Sequence, residues 1–412
     1  MRTILLYNGW VFVDRNAADV TLAAEMDLTA ASVGVDSISA EVKCPDPSIA
    51  SFRVNEPMTY YHIRAPKLLA DSAGRLFLDG AGQLFALAGR GQAGRAYGVS
   101  QQKIYYLQSV TRVGPDRYVL YGLTPVGRLT KMSHTGGIYT GQRAEDVIKD
   151  ICGDVPVIVK TNLADIRLYG WLPYVKPEKS SARDNLAQVL FALGAYLGTD
   201  LNDVLRVQTY WDGMVGVIDS GRIYQEAAVS YAPTVTSVTV AEHQYIPSQE
   251  DVTLFEGTAL EGDPITFSEP AHSLAAEGFT ILESGANWAR LSAGTGTLTG
   301  KAYVHTTREI REPVTEAAAE NVKTEDGCTL VSLINSRAAA QRLADYYRCQ
   351  ETIDCSIVAR SERPGYVVGI YHPYDKVIVP ACVSSMDTTV SSILKSEIKA
   401  LDSVYTSLKN VI

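Results

Sequence analysis

This 412-residue chain lacks any apolar stretch long enough to be a membrane-spanning helix. Its most apolar run, Leu186 to Leu197 in "SSARDNLAQVLFALGAYLGTD", covers about 12 residues against the roughly 20 a bilayer demands. Asp and Arg residues flank it. Basic blocks are missing too, and the formal charge is −9, which argues against a large sequence-independent contact with nucleic acid phosphates. Charged residues amount to only 20% of the chain beside 46% hydrophobic ones, a balance that fits a protein hiding surface in an assembly. The six cysteines, Cys44, Cys152, Cys328, Cys349, Cys355 and Cys382, form no C-x-x-C pair, and there is no N-x-[ST] sequon. Free, mostly buried thiols made in a reducing compartment are therefore expected. The six histidines are scattered, without H-E-x-x-H spacing. His305 and Glu309, four apart in an apparent strand-to-loop segment, would not share a helical face. No G-x-S-x-G elbow occurs, and no carboxylate pair is marked as glycosidase-like. These absences predict no catalytic residue, no metal ligand and no cofactor.

Two glycine-rich loops come near to phosphate-binding motifs and fail. "GRGQAG", Gly89 to Gly94, matches G-x-G-x-x-G, yet "RAYGVSQQKIYY" after it runs into a strand where a helix should open. It reads as a β-loop whose Arg90 and Arg95 are candidate partner contacts. "GTGTLTGKA" has Thr295 and Ala302 where a P-loop fails to tolerate them, and it reads as a turn between strands.

Tyr is abundant, 23 residues against 8 Phe, which suits half-buried sheets and interfaces. The N-terminus, "MRTILLYNGWVFVDRN", has no small-residue cleavage site and reads as a hairpin rather than a signal peptide. Ile4 to Tyr7 and Trp10 to Val13 flank Asn8-Gly9, a strong turn signal. Short β-branched and aromatic runs continue to about residue 135. The pattern then changes. "GQRAEDVIKDICG" puts Ala144, Val147, Ile148 and Ile151 on one helical stripe, with Gly153 as its stop. "VPVIVK" is a short strand. "LYGWLPYVKP" is a Pro-bounded loop whose Tyr169, Trp171 and Tyr174 could contact a protein, form a sugar platform or cover the module beneath. The apolar run is a helix opened by a Ser181/Asp184 capping box and stopped at Gly198. Because most of its sides are apolar, it is the core of a small module. "DVLRVQT" reads as a strand. Strands return from about residue 220 to about 310, a Glu-rich connection follows, and "NSRAAAQRLADYYRC" is an amphipathic helix at about 335–348. The remainder, including the tail after Met386, reads as strands.

The segments "GGIYTGQRAEDVIKDICGDVPV", "LYGWLPYVKPEKSSARDNLAQVLFALGAYLGTD", "TLVSLINSRAAAQRLADYY" and "PGYVVGIYHPYDKVIVPACVSS", in this order, resemble the baseplate hub and tail-tip hub family of bacteriophages. That family includes the T4-type hub and the hub part of type VI secretion spikes. Its insert opens with a "T-A-x-D-V-I"-like helix, where this chain has Arg143 in place of Thr. The resemblance covers roughly residues 50–390. It implies a mainly β chain with an α+β insert: a tube-like β-barrel over 1–138, a small α/β module over 139–218 and a second tube-like barrel over 219–412. It further implies a non-enzymatic structural protein, a homotrimer whose six barrels match a sixfold tail tube above and a threefold spike below. Its partners would be a tube or distal tail protein, a spike or fibre protein and wedge proteins. DNA would pass without specific binding, and the protein would reside in the virion after assembly in the host cytoplasm, with no stable membrane insertion. The alternatives are a receptor- or glycan-binding tail-tip protein, read out by changing Trp171 to Ala, and a tail-associated cell-wall hydrolase.

Overall fold

Strands of period-two burial dominate the structure, a computed structural model. It describes residues 2–13, 16–63, 85–88, 92–95, 99–177, 179–199, 203–210, 213–224, 227–262, 264–360, 362–390 and 394–402. Ser37–Lys43 buries Ile38, Ala40 and Val42, and its neighbour Arg117–Leu123 buries Tyr118 and Leu120, while the alternate residues face outward. The expected N-terminal hairpin is present, Arg2–Tyr7 pairing with Trp10–Val13 from Ile4↔Val13 to Tyr7↔Trp10.

One 13-stranded sheet unites the two ends of the chain. Five strands from the first 63 residues, with Val99–Arg112 and Arg117–Leu123, make one half. Ala228–Tyr231, Glu351–Val358, Val367–Tyr371, Ile378–Val390 and Leu394–Asp402 make the other, with Met214–Ile218 added at its side. The halves join where Ala17–Glu25 pairs antiparallel with Ile378–Val390, from Ser385↔Glu25 to Thr389↔Thr21. Each half has its own apolar core, around Leu5, Ile38, Tyr60 and Leu120 in the first and Ile353, Ile370, Val383 and Ile398 in the second. Val390 packs against both. The chain is thus mainly β with a small α/β module. Among the described residues the sheet is not closed into a barrel: its path ends at Ala228–Tyr231 and at Trp10–Val13. The tail after Met386 is strand, as its alternation suggested.

The α/β module packs the helices Ala144–Cys152 and Ala182–Leu193 over a sheet of Val157–Val159, Leu205–Thr209 and Ala195–Thr199. Val33, Val126, Leu129 and Leu330, distant in sequence, complete its core. The capping box holds, with the Asp184 carboxylate accepting from the backbone N–H (2.7 Å) and hydroxyl (2.8 Å) of Ser181. The expected stop at Gly198 is wrong. The helix ends at Gly194, in left-handed conformation (φ 64°, ψ 39°), and Gly198 lies inside the strand Ala195–Thr199. Gly194 comes first in the chain, can adopt that conformation without strain, and has the Arg342 side chain packed where a Cβ would point.

The second β region also differs from expectation. Ser237–Ala259 and Gly294–Pro313 form one long antiparallel hairpin, from Ser237↔Pro313 to Ala259↔Gly294, flanked by Ala271–Glu277 and Val322–Glu325. A three-stranded sheet of Pro264–Thr266, Trp288–Leu291 and Ile281–Ser284 lies at its tip, over Ala289, Leu291 and Leu298. Among the described residues these strands pair with each other and not with the large sheet. "GTGTLTGKA" is therefore strand, not turn, and so is the segment holding His305 and Glu309. Its glycines serve close strand packing: a Cβ on Gly296 would collide with the Glu277 carbonyl. The late helix, Ser336–Arg348, lays Ala339, Ala340, Leu343 and Ala344 against Val238, Val240 and Phe191, which ties the hairpin base to the module.

Candidate functional site

The module, the hairpin and the late helix meet at the loop 326–335. Gln188, the one strongly polar side chain in the apolar run, is the anchor on the module side. Its Oε1 accepts from the Thr329 backbone N–H (3.2 Å) and from the Thr329 hydroxyl (2.8 Å), and its carbonyl accepts from the Cys328 thiol (3.2 Å). The same hydroxyl also lies against the Trp171 carbonyl. Asn335 Nδ2 donates to the Ala192 carbonyl, 3.3 Å away. On the hairpin side, the His243 backbone N–H donates to the Val331 carbonyl (2.7 Å). The only strongly polar side chain between Leu186 and Leu197 is thus used on a part-buried connection.

His134 makes a second connection inside the module. Asn185 Nδ2 lies 2.8 Å from His134 Nδ1 and donates to it, so the proton on the ring sits at Nε2, 3.1 Å from the Asp150 carboxylate. Burial pulls His134 below the usual His range, and Asp150 opposes that shift. All six cysteines are free and five are buried. Burial pushes Cys152 and Cys355 up to about 12, which leaves them unreactive thiols.

The structure separates the residues singled out in "LYGWLPYVKP". Arg167–Leu172 is not a loop but a strand, paired antiparallel with Gly137–Arg143. Tyr169, half-buried, lines a groove of about 590 Å³ together with Tyr245, His243, Leu333 and Ile334. Trp171 is only 9% exposed and meets Tyr245 edge-on at 5.9 Å. Trp171 and Tyr174 share the wall of a different, smaller cleft of about 380 Å³ with Lys176, Phe267 and Asn287. Tyr174 packs on Trp288 at 5.2 Å, and its backbone N–H donates to Asn287. Arg95 ends the strand Gln92–Arg95, which pairs with Phe85–Ala88. Arg90 lies outside the described residues.

Two exposed apolar groups escaped the sequence reading. Leu333 (74% exposed) and Ile334 (66%) stand side by side on the loop before the late helix. Met214, Val217 and Ile378 gather over Gly369 on one face of the large sheet, each more than a third exposed. In the sequence they look like ordinary strand residues. Among the described residues Met214–Ile218 pairs with one strand alone, Val367–Tyr371. Among the described residues, no three His, Cys, Asp or Glu side chains gather as metal ligands would. No helix among them is long and apolar enough to cross a membrane.

No protein-family model matches the chain, and no curated protein matches it either. Solved structures do. A 43 kDa tail protein of prophage MuSo2 from Shewanella oneidensis superposes with a TM-score of 0.53 at 10% identity, covering 98% of each chain. A tail protein from Neisseria meningitidis MC58 superposes with a TM-score of 0.53 at 11% identity, covering 97% of this chain and 96% of the other. At such identity what is common is the fold, from end to end: this chain has the fold of phage tail proteins.

Proposed function

We propose that the protein is a structural subunit of a phage or phage-like tail, acting as a baseplate hub. Three copies would form a ring that adapts a sixfold tube to a threefold spike or tip. One observation carries the reading: two β half-sheets, drawn from opposite ends of one chain, are fused edge to edge in a fold shared along its whole length with tail proteins. The exposed apolar group of Met214, Val217 and Ile378 supports burial in an assembly, since such surface is costly on a free monomer. Carbohydrate recognition by an aromatic platform at Trp171 gains no support, because that ring is almost fully enclosed.

Native mass spectrometry of the purified chain tests the proposal. The expected species has three times the 44.7 kDa mass of one chain, formed alone or with neighbouring tail proteins. A monomer that stays monomeric with those proteins, or that digests cell wall, overturns it. Paired replacement of Val217 and Ile378 by Glu should dissociate the trimer without unfolding the subunit.

A further inference from the structure

Ser273 breaks a local rule on the strand Ala271–Glu277. Its φ is +53°, in the left-handed region that a residue with a Cβ rarely enters. The ladder to Gly294–Pro313 shows how it gets there. His272 faces Lys301 and Ala275 faces Thr299, so Ser273 and Leu274 together oppose the single Gly300. That is a β-bulge whose first residue is left-handed, a position ordinarily filled by glycine. Leu274 lies over Gly300, where an added Cβ would meet its Cδ2 at 2.7 Å, and it packs on the apolar tip of the hairpin. Ser273 is the extra residue, and it is exposed.

The distortion brings together two side chains that a regular strand keeps apart. Successive residues of a strand point to opposite faces, yet the Ser273 hydroxyl lies 3.0 Å from Nδ1 of His272. The ring also reaches across the middle strand, where its Nε2 lies 3.1 Å from the Ser248 carbonyl. A carbonyl only accepts. In the neutral ring the proton therefore sits on Nε2, and Nδ1 offers its lone pair to the Ser273 O–H. Tyr303 packs edge-on against the same ring, with centroids 5.0 Å apart. Lys301, directly opposite His272, shares its face of the sheet. Its ammonium donates to the Gln249 carbonyl (3.1 Å) and to Asp251 (3.2 Å), which fixes a positive charge on that face. A hydroxyl on a base, with the base oriented by a third group, is the arrangement that activates a serine. Glycine would keep the bulge without strain, and what serine adds in its place is the hydroxyl.

We propose that Ser273 is a nucleophile, with His272 as its general base, and that it accepts the acyl group of a carboxylic ester on the outer face of the hairpin. The Ser273 oxygen bonds to the acyl carbon as its proton passes to His272 Nδ1. The charged ring keeps its Nε2–H bond to Ser248. The bond from the acyl carbon to the leaving oxygen then breaks. That oxygen departs with the electron pair and takes the proton from Nδ1, so Ser273 is left as an ester beside a neutral His272. The charge of Lys301 favours the oxyanion formed on the way. The step uses only exposed residues of the hairpin and is independent of the structural role proposed above.

Treating the full chain with p-nitrophenyl acetate at pH 7.5 tests it. Peptide mass spectrometry should find acetyl on Ser273 first, at a rate roughly a hundredfold above that of the exposed Ser268 and Ser284. His272→Gln keeps an N–H donor for the Ser248 carbonyl but has no base, and it should bring Ser273 down to the rate of those two serines. Ser273→Gly suits the left-handed bulge, so the chain should keep or gain stability while losing the fast acetylation. Equal acetylation of the three serines, acetyl retained on His272 in place of Ser273, or an undiminished rate in His272→Gln overturns the proposal.

Discussion

The module and the long hairpin solve the same stability problem by opposite means. In the module, the helix Ala182–Leu193 is surrounded: Leu186 and Val189 are fully buried and Leu190 nearly so, against residues drawn from Val33 to Leu330. Along the hairpin, burial is concentrated at the base, where Ser237 to Val240 are buried in succession, and at the tip around Leu298, with His243 the buried exception between them. Between them the ladder from Ala241↔Glu309 to Pro247↔Tyr303 faces water on much of its surface and is held by backbone pairing. The module's stability is volumetric and short-range in space, while that of the hairpin is linear and follows its register. The loop 326–335 is where the two are coupled.

Substitutions can break or sharpen this contrast. The largest effect is expected outside both regions, at Arg222, which is 6% exposed and donates to Glu362 (2.7 Å) and to the carbonyls of Val217 (2.8 Å) and Val358 (2.7 Å). Arg222→Ala strands a buried carboxylate and should cost about 3–5 kcal/mol in chemical denaturation. Leu186→Ala should cost about 2–5 kcal/mol, and because the module core is continuous the transition should stay cooperative. If only a local sub-transition appears, the module is not the integrating core argued here. Gln188→Ala leaves the Thr329 backbone N–H without its acceptor and should cost about 1–3 kcal/mol. Exchange should rise first in 326–335 rather than in the helix that bears the mutation. Arg308→Ala, at an exposed ion pair with Glu242, should shift stability by less than about 1 kcal/mol.

A pH effect separates the sheet from both regions. Asp402, at the end of Leu394–Asp402, is pushed up to about 6 by burial and by Glu351. An acid whose folded value is raised binds its proton more tightly in the folded state, so its contribution falls as pH rises through that window. The last strand should be better protected at pH 5 than at pH 7.5. Asp402→Asn should remove the difference, and an unchanged difference in that variant would assign it elsewhere.

The sequence announced elements whose signals are local. Asn8-Gly9 between alternating runs marked the first hairpin, and Ser181 with Asp184 marked a helix start. The amphipathic pattern of "NSRAAAQRLADYYRC" marked the late helix. It misplaced what depends on distant partners. Gly296 and Gly300 looked like turn residues because a neighbouring strand's need for close approach leaves no trace nearby. Tyr169 and Trp171 looked like a loop because flanking Gly and Pro outweighed a ladder to Gly137–Arg143. The site was less legible still. His243 and Val331, joined through their backbones, lie far apart in the chain and carry no motif, and Gln188 looked like a blemish in an apolar run until Thr329 was found beneath it.

The seam between Ala17–Glu25 and Ile378–Val390 bears on the order of biosynthesis. A ribosome delivers Ala17–Glu25 long before its mate Ile378–Val390, so the nascent half-sheet waits with an open border while the residues between them are made. Whatever shields that border in the interval, be it a chaperone or the emerging module, governs how many copies mature rather than aggregate.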